Sequence, residues 1–384
     1  MVRVLSATVA VVLVLSSTAT VYACSLCTAA QTALTLRQEA AHPGAKMIVF
    51  GRLANPKLNV GGAGVTDLNV DVIVRNHAYL KDKKVLQIER FIPVADPKDP
   101  PQFLLFCDLF NEKLDPYRGV PVKSKDVVAY LEGAMKLPAD DASKRLLYFA
   151  DFLENADPAI AEDAFLEFAK STDQEIGQIA GKVPAEKLRT WLKDPKIPGP
   201  RLGLYGFLLG GCGNNDDADL LRAMITNPTD RALEAYDGLL TGYIQLQPKR
   251  GWELAYDILQ STDVNQKFRP VQAVIRCMRF YHGWKPKEQR DSIMRGMERI
   301  LARNDLADIA VNDLRRWQEW DLSATVLGLY GKKGYTSPIM RRAILSYAIS
   351  CKSAEGKRLV DDARKADPEF VTDVEDGLKF ESKK

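Results

Sequence analysis

Pro200-Arg201-Leu202-Gly203-Leu204-Tyr205-Gly206-Phe207-Leu208 stands ahead of Cys212, Arg269-Pro270-Val271-Gln272-Ala273-Val274 ahead of Cys277, and Pro338-Ile339-Met340-Arg341-Arg342-Ala343-Ile344-Leu345 ahead of Cys351. Each run holds a proline near its start and continues in apolar residues to a cysteine. Further helical sequence follows at Leu220-Leu221 and Leu359-Val360. The cysteines are 65 and 74 residues apart, close to two repeats each. Proline fits the first turn of a helix, where its missing N–H has no partner to lose. Helices of about 9 to 16 residues, paired over about 30 to 40, describe an α-helical solenoid, because each pair can bury its apolar face only against its neighbours.

On both sides of these runs the pattern predicts fifteen helical segments in all between Lys125 and Lys365, punctuated by Pro, Gly, Asp and Asn. Examples are Lys125–Met135, Ile160–Lys170, Arg201–Leu209, Asp230–Tyr243, Pro270–His282, Ala307–Trp317 and Pro338–Ser350. The recurring copies resemble degenerate HEAT-type repeats, which implies a binding scaffold in residues 121–384.

Before residue 120 the period changes to two. Leu68, Val70, Val72 and Val74 alternate with Asp67, Asn69, Asp71 and Ile73, the pattern of a half-buried strand. Strands are expected at Met47–Leu53, Thr66–Val74, Val85–Ile92 and Phe103–Phe110, after a short helix from Thr28 to about Ala41. Four or five strands with polar turns suggest a small antiparallel β-barrel-like domain over residues 24–120. The expected class is therefore α+β multidomain. The helix followed by Ile48-Val49-Phe50-Gly51-Arg52-Leu53, behind an N-terminal cysteine, resembles the netrin-like modules with their OB-type barrel. That resemblance implies a Cys27–Cys107 disulfide and, as a rival function, an inhibitor or accessory module. This chain carries Cys-x-x-Cys where the inhibitors of that family carry Cys-x-Cys.

The first 23 residues read as a secretory signal: Arg3, the uncharged Val9–Leu15, then Val21-Tyr22-Ala23. The apolar run is too short to span a bilayer of about 30 Å. Val21-Tyr22-Ala23-Cys24 also resembles a lipoprotein lipobox, Tyr22 departing from it, and implies acylation of Cys24. Either cleavage leaves Cys24 first and places the protein in the bacterial cell envelope, periplasmic or lipid-anchored.

The 384 residues carry a net charge of +3, with 46% apolar and 27% charged residues evenly mixed. No basic patch argues for nucleic acid. Three histidines, His42, His77 and His282, give little material for a catalytic base or zinc site. Cys24-Ser25-Leu26-Cys27 could serve a redox or metal role, yet no strand precedes it and no second ligand pair has zinc spacing. No catalytic motif, cofactor or metal site is recognised. Arg118 offers an anion site, and Asn214-Asn215-Asp216-Asp217-Ala218-Asp219 a calcium loop lacking the glycine and final glutamate. Tyr281, Trp284, Trp317 and Trp320 stand out as aromatic anchors for a protein or peptide partner. The alternative for these four is packing between helices.

Overall fold

The computed structural model describes residues 33–58, 64–260 and 264–382. Cys24 and Cys27, with the signal and lipobox, lie outside the described residues. The first element, α1 (Leu36–Ala41), is set by a capping box in which Thr35 and Gln38 satisfy each other's backbone N–H. Five strands follow: β1 (Met47–Leu58), β2 (Gly64–Arg75), β3 (Val85–Ile88), β4 (Gln102–Phe110) and β5 (Lys113–Val122). They form one antiparallel sheet in the order β3-β2-β1-β4-β5. Asn111 and Glu112 turn β4 into β5 with φ of +49° and +62°, the left-handed pair that a tight hairpin needs.

The sheet corrects the barrel expectation. It is open: β3 and β5 are its edges, and no ladder joins them among the described residues. β3 has only four residues, and β5 carries Pro116 and Pro121, which have no N–H to donate across a closing seam. The OB and netrin-like resemblance falls with it. So does the implied disulfide, because Cys107 is a free thiol buried on β4. β5 itself is a further difference. Its Asp115-Pro116-Tyr117-Arg118-Gly119 reads as a turn in sequence but lies within the strand, paired to β4.

Alternation sorts the central strands onto two faces. Ile48, Phe50, Leu104 and Phe106 enter the same core as the helices. Met47, Val49, Leu105 and Cys107 form a smaller core on the other face with Leu68, Leu86 and Ile88.

The rest is helical. The first five helices are α2 (Asp126–Met135), α3 (Ala142–Ala150), α4 (Pro158–Ala169), α5 (Asp173–Ile179) and α6 (Ala185–Lys193). Then come α7 (Gly199–Cys212), α8 (Asn215–Thr226), α9 (Asp230–Glu234), α10 (Tyr236–Leu246), α11 (Pro248–Gln260), α12 (Val264–Trp284) and α13 (Arg290–Leu301). The last are α14 (Ala307–Trp317), α15 (Ser323–Leu327), α16 (Pro338–Cys351), α17 (Ala354–Ala366) and α18 (Pro368–Glu381). Helix α7 packs on α10, α10 on α12, α14 on α16 and α16 on α18, while α11 meets α13 and α15 meets α17. This is a solenoid-like stack in two layers.

Side chains also tie one repeat to the next across helix ends. Arg201 donates to the Leu153 carbonyl at 3.1 Å, Arg303 to Leu259 at 3.0 Å and Tyr335 to Leu301 at 3.0 Å. Each bond covers a carbonyl that a helix or turn leaves unpaired.

The three similar runs differ more than their sequence suggests. Pro200 and Pro338 do sit in the first turns of α7 and α16. Pro270 instead lies inside α12, which starts at Val264. Cys212 and Cys351 end their helices half-buried, whereas Cys277 is fully buried within α12. The expected Asp230–Tyr243 helix is two, α9 and α10, broken at Ala235.

Candidate functional site

The four aromatic candidates lie between helices. Tyr281 is 1% exposed, and its hydroxyl donates to the Thr241 carbonyl of α10 at 2.9 Å. Trp284 stacks on Tyr281 at 5.9 Å and meets Phe207 and Phe280 edge-on or tilted at 5.3 and 5.8 Å. Its indole covers Gly177 of α5, where any Cβ would overlap it. Trp284 therefore joins α12 to α5 and α7. Trp317 stacks on His282 at 4.1 Å and 10°, joining α14 to α12. Burial lowers the His282 pKa, against the pull of Glu319, and so favours the neutral ring in that face-to-face pair. Trp320 meets Tyr347 of α16 edge-on at 5.0 Å. The structure brings Tyr281 and Trp284 together, and turns Trp317 and Trp320 to other partners. Trp284, Trp317 and Trp320 keep part of their surface in solvent.

The remaining candidates are occupied by the fold. Arg118 pairs with Glu39 and donates to the Leu34 carbonyl. Asp217 of the acidic loop holds Arg189 at 2.7 and 2.8 Å and closes the capping box of α8 with Asn214. Burial pushes the Cys107 and Cys277 thiols up to about 12, so neither is a ready nucleophile. Among the described residues no group of three or more His, Cys, Asp or Glu is placed to hold a metal. No described helix is long and apolar enough to cross a membrane.

Sequence reasoning missed a buried polar junction where α1 meets the first helices. Asp163 accepts from the Leu36 N–H and from the Tyr130 hydroxyl, both at 2.7 Å. One turn on, Glu167 accepts from the Thr35 hydroxyl at 2.6 Å and from Arg37 twice at 3.1 Å. On the other side of α1, Glu39 takes the Tyr117 hydroxyl at 2.9 Å, and Arg75 donates to the Ala40 and Ala45 carbonyls. A six-residue helix thus fastens the sheet to α4. The signal was present: two carboxylates at i and i+4 inside the apolar run of Ala161–Ala169. Burial raises Asp163 to about 6 against the two hydrogen bonds that favour its charge.

Three surface features remain open. On α12, Arg269, Gln272, Arg276 and Arg279 recur at helical spacing along one face. Arg276 reaches back to buried Asp237 of α10, and Arg279 reaches forward to buried Asp313 of α14 at 2.8 Å. The stripe is thereby held between its neighbours, with Arg269 exposed. A hollow of about 540 Å³ opens between α14, α16 and α18 at the end of the stack. A smaller groove of about 430 Å³ crosses the outer face of the sheet over Phe103 and Leu105, with Arg90, Lys113, Glu89 and Asp115 around it. Its rim charges cancel, so it selects no sign of ligand.

In comparisons with known proteins, no family model, no curated protein and no solved structure matches this chain.

Proposed function

We propose that this chain is an exported, non-catalytic scaffold of the cell envelope that binds a protein or peptide on its stacked helices. The observation that carries the reading is the α12 stripe. Arg276 and Arg279 clamp it to the preceding and following helices through carboxylates that are nearly buried. A surface fixed in this way loses little conformational freedom on binding, which favours recognition over a mobile one. The signal-like first 23 residues support export, and Cys24 would be the first residue of the mature chain.

The test is affinity capture of the tagged chain from envelope extracts, comparing charge-altered variants. A protein enriched by the wild type should be lost with Arg269→Glu plus Gln272→Glu on α12. It should be retained with Lys357→Glu on the second layer at α17. Equal capture by both variants would remove the stripe as the binding surface.

A further inference from the structure

Several arginines of this chain grip a carboxylate with two nitrogens. Arg37 on Glu167, Arg52 on Asp71, Arg189 on Asp217 and Arg290 on Glu319 each use Nε and Nη2 together. Two arginines of α12 do not. Arg276 hydrogen-bonds Asp237, and Arg279 hydrogen-bonds Asp313, through Nε alone. Their Nη nitrogens have no hydrogen-bond partner among the described residues and are not buried, so they reach solvent.

The acids set this arrangement. Asp237 and Asp313 are nearly buried, whereas the Arg276 and Arg279 side chains keep 29% and 39% of their surface exposed. A buried carboxylate that lost its cation would be left uncompensated, so each acid holds its arginine from below. One edge of each guanidinium is fixed and the other is presented outward.

The row continues in both directions. Arg269 is exposed and makes no ion pair or hydrogen bond among the described residues. Gln272, half-buried between Arg269 and Arg276, makes no hydrogen bond among them either. Beyond Arg279, Arg316 lies one turn past Asp313 on α14. Burial raises the Asp313 pKa while Arg279 and Arg316 oppose the rise, so both guanidiniums stand close to that carboxylate. From Arg269 to Arg279 the row runs about 15 Å along α12.

Given the binding role proposed for the α12 stripe, we infer that its partner is an acidic peptide segment whose carboxylates are taken by the outward Nη edges of Arg276 and Arg279. Two parallel N–H groups match the two oxygens of a carboxylate, and both bonds are charge-assisted. A phosphate fits the same edge, but Gln272 adds an acceptor oxygen to the row. A peptide N–H donates to that oxygen, whereas a phosphodiester has no donor to offer it. Each Arg–Asp pair is neutral as a whole. Attraction therefore comes from short-range hydrogen bonds, with Arg269 supplying the unpaired charge.

Fluorescence anisotropy of the full chain with a labelled twelve-residue peptide alternating Glu and Ser tests the inference. The wild type should bind it saturably and should not bind the same peptide with Gln in place of Glu. Arg276→Lys and Arg279→Lys keep the charge but lose the two-nitrogen edge, so each should weaken binding by about 10-fold. Arg269→Gln removes a charge that the fold does not use. It should weaken binding by about 3- to 5-fold with an unchanged melting curve. No saturable binding of the Glu peptide overturns the inference. So does binding that all three variants leave unchanged. Tighter binding of an oligothymidylate or of phosphatidylglycerol vesicles, lost in the same variants, assigns the row to phosphate and overturns it as well. An envelope protein lost with Arg269→Glu plus Gln272→Glu but kept by both lysine variants removes the carboxylate assignment alone and leaves the proposed binding surface standing.

Discussion

The closest approach of two helices, α7 against α10, gives a prediction whose sign is decided by geometry. Alanine is preferred to glycine inside a helix by about 1 kcal/mol, so Gly→Ala is stabilising wherever the methyl fits. On Gly203 of α7 the added Cβ would sit 3.5 Å from Ala235, ordinary contact. On Gly242 of α10 it would sit 2.0 Å from the Gly206 carbonyl oxygen, and on Gly238 it would sit 2.1 Å from the Gly203 oxygen. Real Cβ atoms essentially never come within 3.0 Å, so the helices would have to separate by about an ångström. Both are backbone oxygens, which cannot swing aside as a side chain does. Overpacking of this kind costs about 1 to 3 kcal/mol and sometimes more, against a propensity gain of about 1. Gly203→Ala should therefore be neutral or stabilising by up to about 1 kcal/mol. Gly242→Ala should be destabilising by up to about 2 kcal/mol after the propensity gain is counted. Urea unfolding followed by circular dichroism, at equal slopes, reads both from the transition midpoints. Equal midpoints for the two variants, or a more stable Gly242→Ala, would refute the close α7–α10 packing.

Further outcomes are expected elsewhere. Asp163 titrates in the folded chain at about 6, above the ordinary range, so it favours folding most when protonated. Its contribution should be complete below about pH 4 and fall by about 2 to 3 kcal/mol as pH rises through 6, measured as the stability difference between wild type and Asp163→Asn. A difference constant across that window would contradict the buried junction. Trp284→Ala should cost about 3 to 5 kcal/mol by opening space over Gly177, whereas Phe268→Ala, at an exposed position, should change stability by less than about 0.5. Thermal and urea denaturation of the two variants would decide. Under native conditions a thiol reagent should modify half-buried Cys212 and Cys351 well before buried Cys107 and Cys277; simultaneous reaction of all four would contradict their burial.

The helical region was legible because amphipathic spacing and local caps agree there. Ala307–Trp317 falls where its periodicity puts it, and Ser337-Pro338 and Ser353 start α16 and α17 as capping chemistry requires. Helix α18 was missed because its acidic pattern, Pro368–Glu381, buries only Val371 and Val374 and shows a weak apolar face. Strand β5 was missed because its two prolines signal a turn, although an edge strand can hold them on its unpaired side. Sheet closure lies beyond local pattern altogether: alternation says which face a residue takes, not whether the edges meet. The aromatic candidates show the same limit. Spacing put Trp317 and Trp320 on one helical face, but α14 stops at Trp317 with Gln318 in the left-handed region, so Trp320 leaves that face and meets Tyr347 while Trp317 stacks on His282.

The chain is proposed to work through the α12 stripe, which runs from exposed Arg269 to half-buried Gln272, Arg276 and Arg279. Site-specific photo-crosslinking in intact cells tests it most directly, with a photoreactive amino acid placed at Arg269 or Gln272, and at Phe110 on the sheet hairpin and Lys357 on α17 as comparison sites. A discrete crosslinked partner is expected from Arg269 and Gln272 and none from Phe110 or Lys357. Crosslinks arising from Phe110 while both α12 positions remain silent would contradict it and move the binding surface to the sheet.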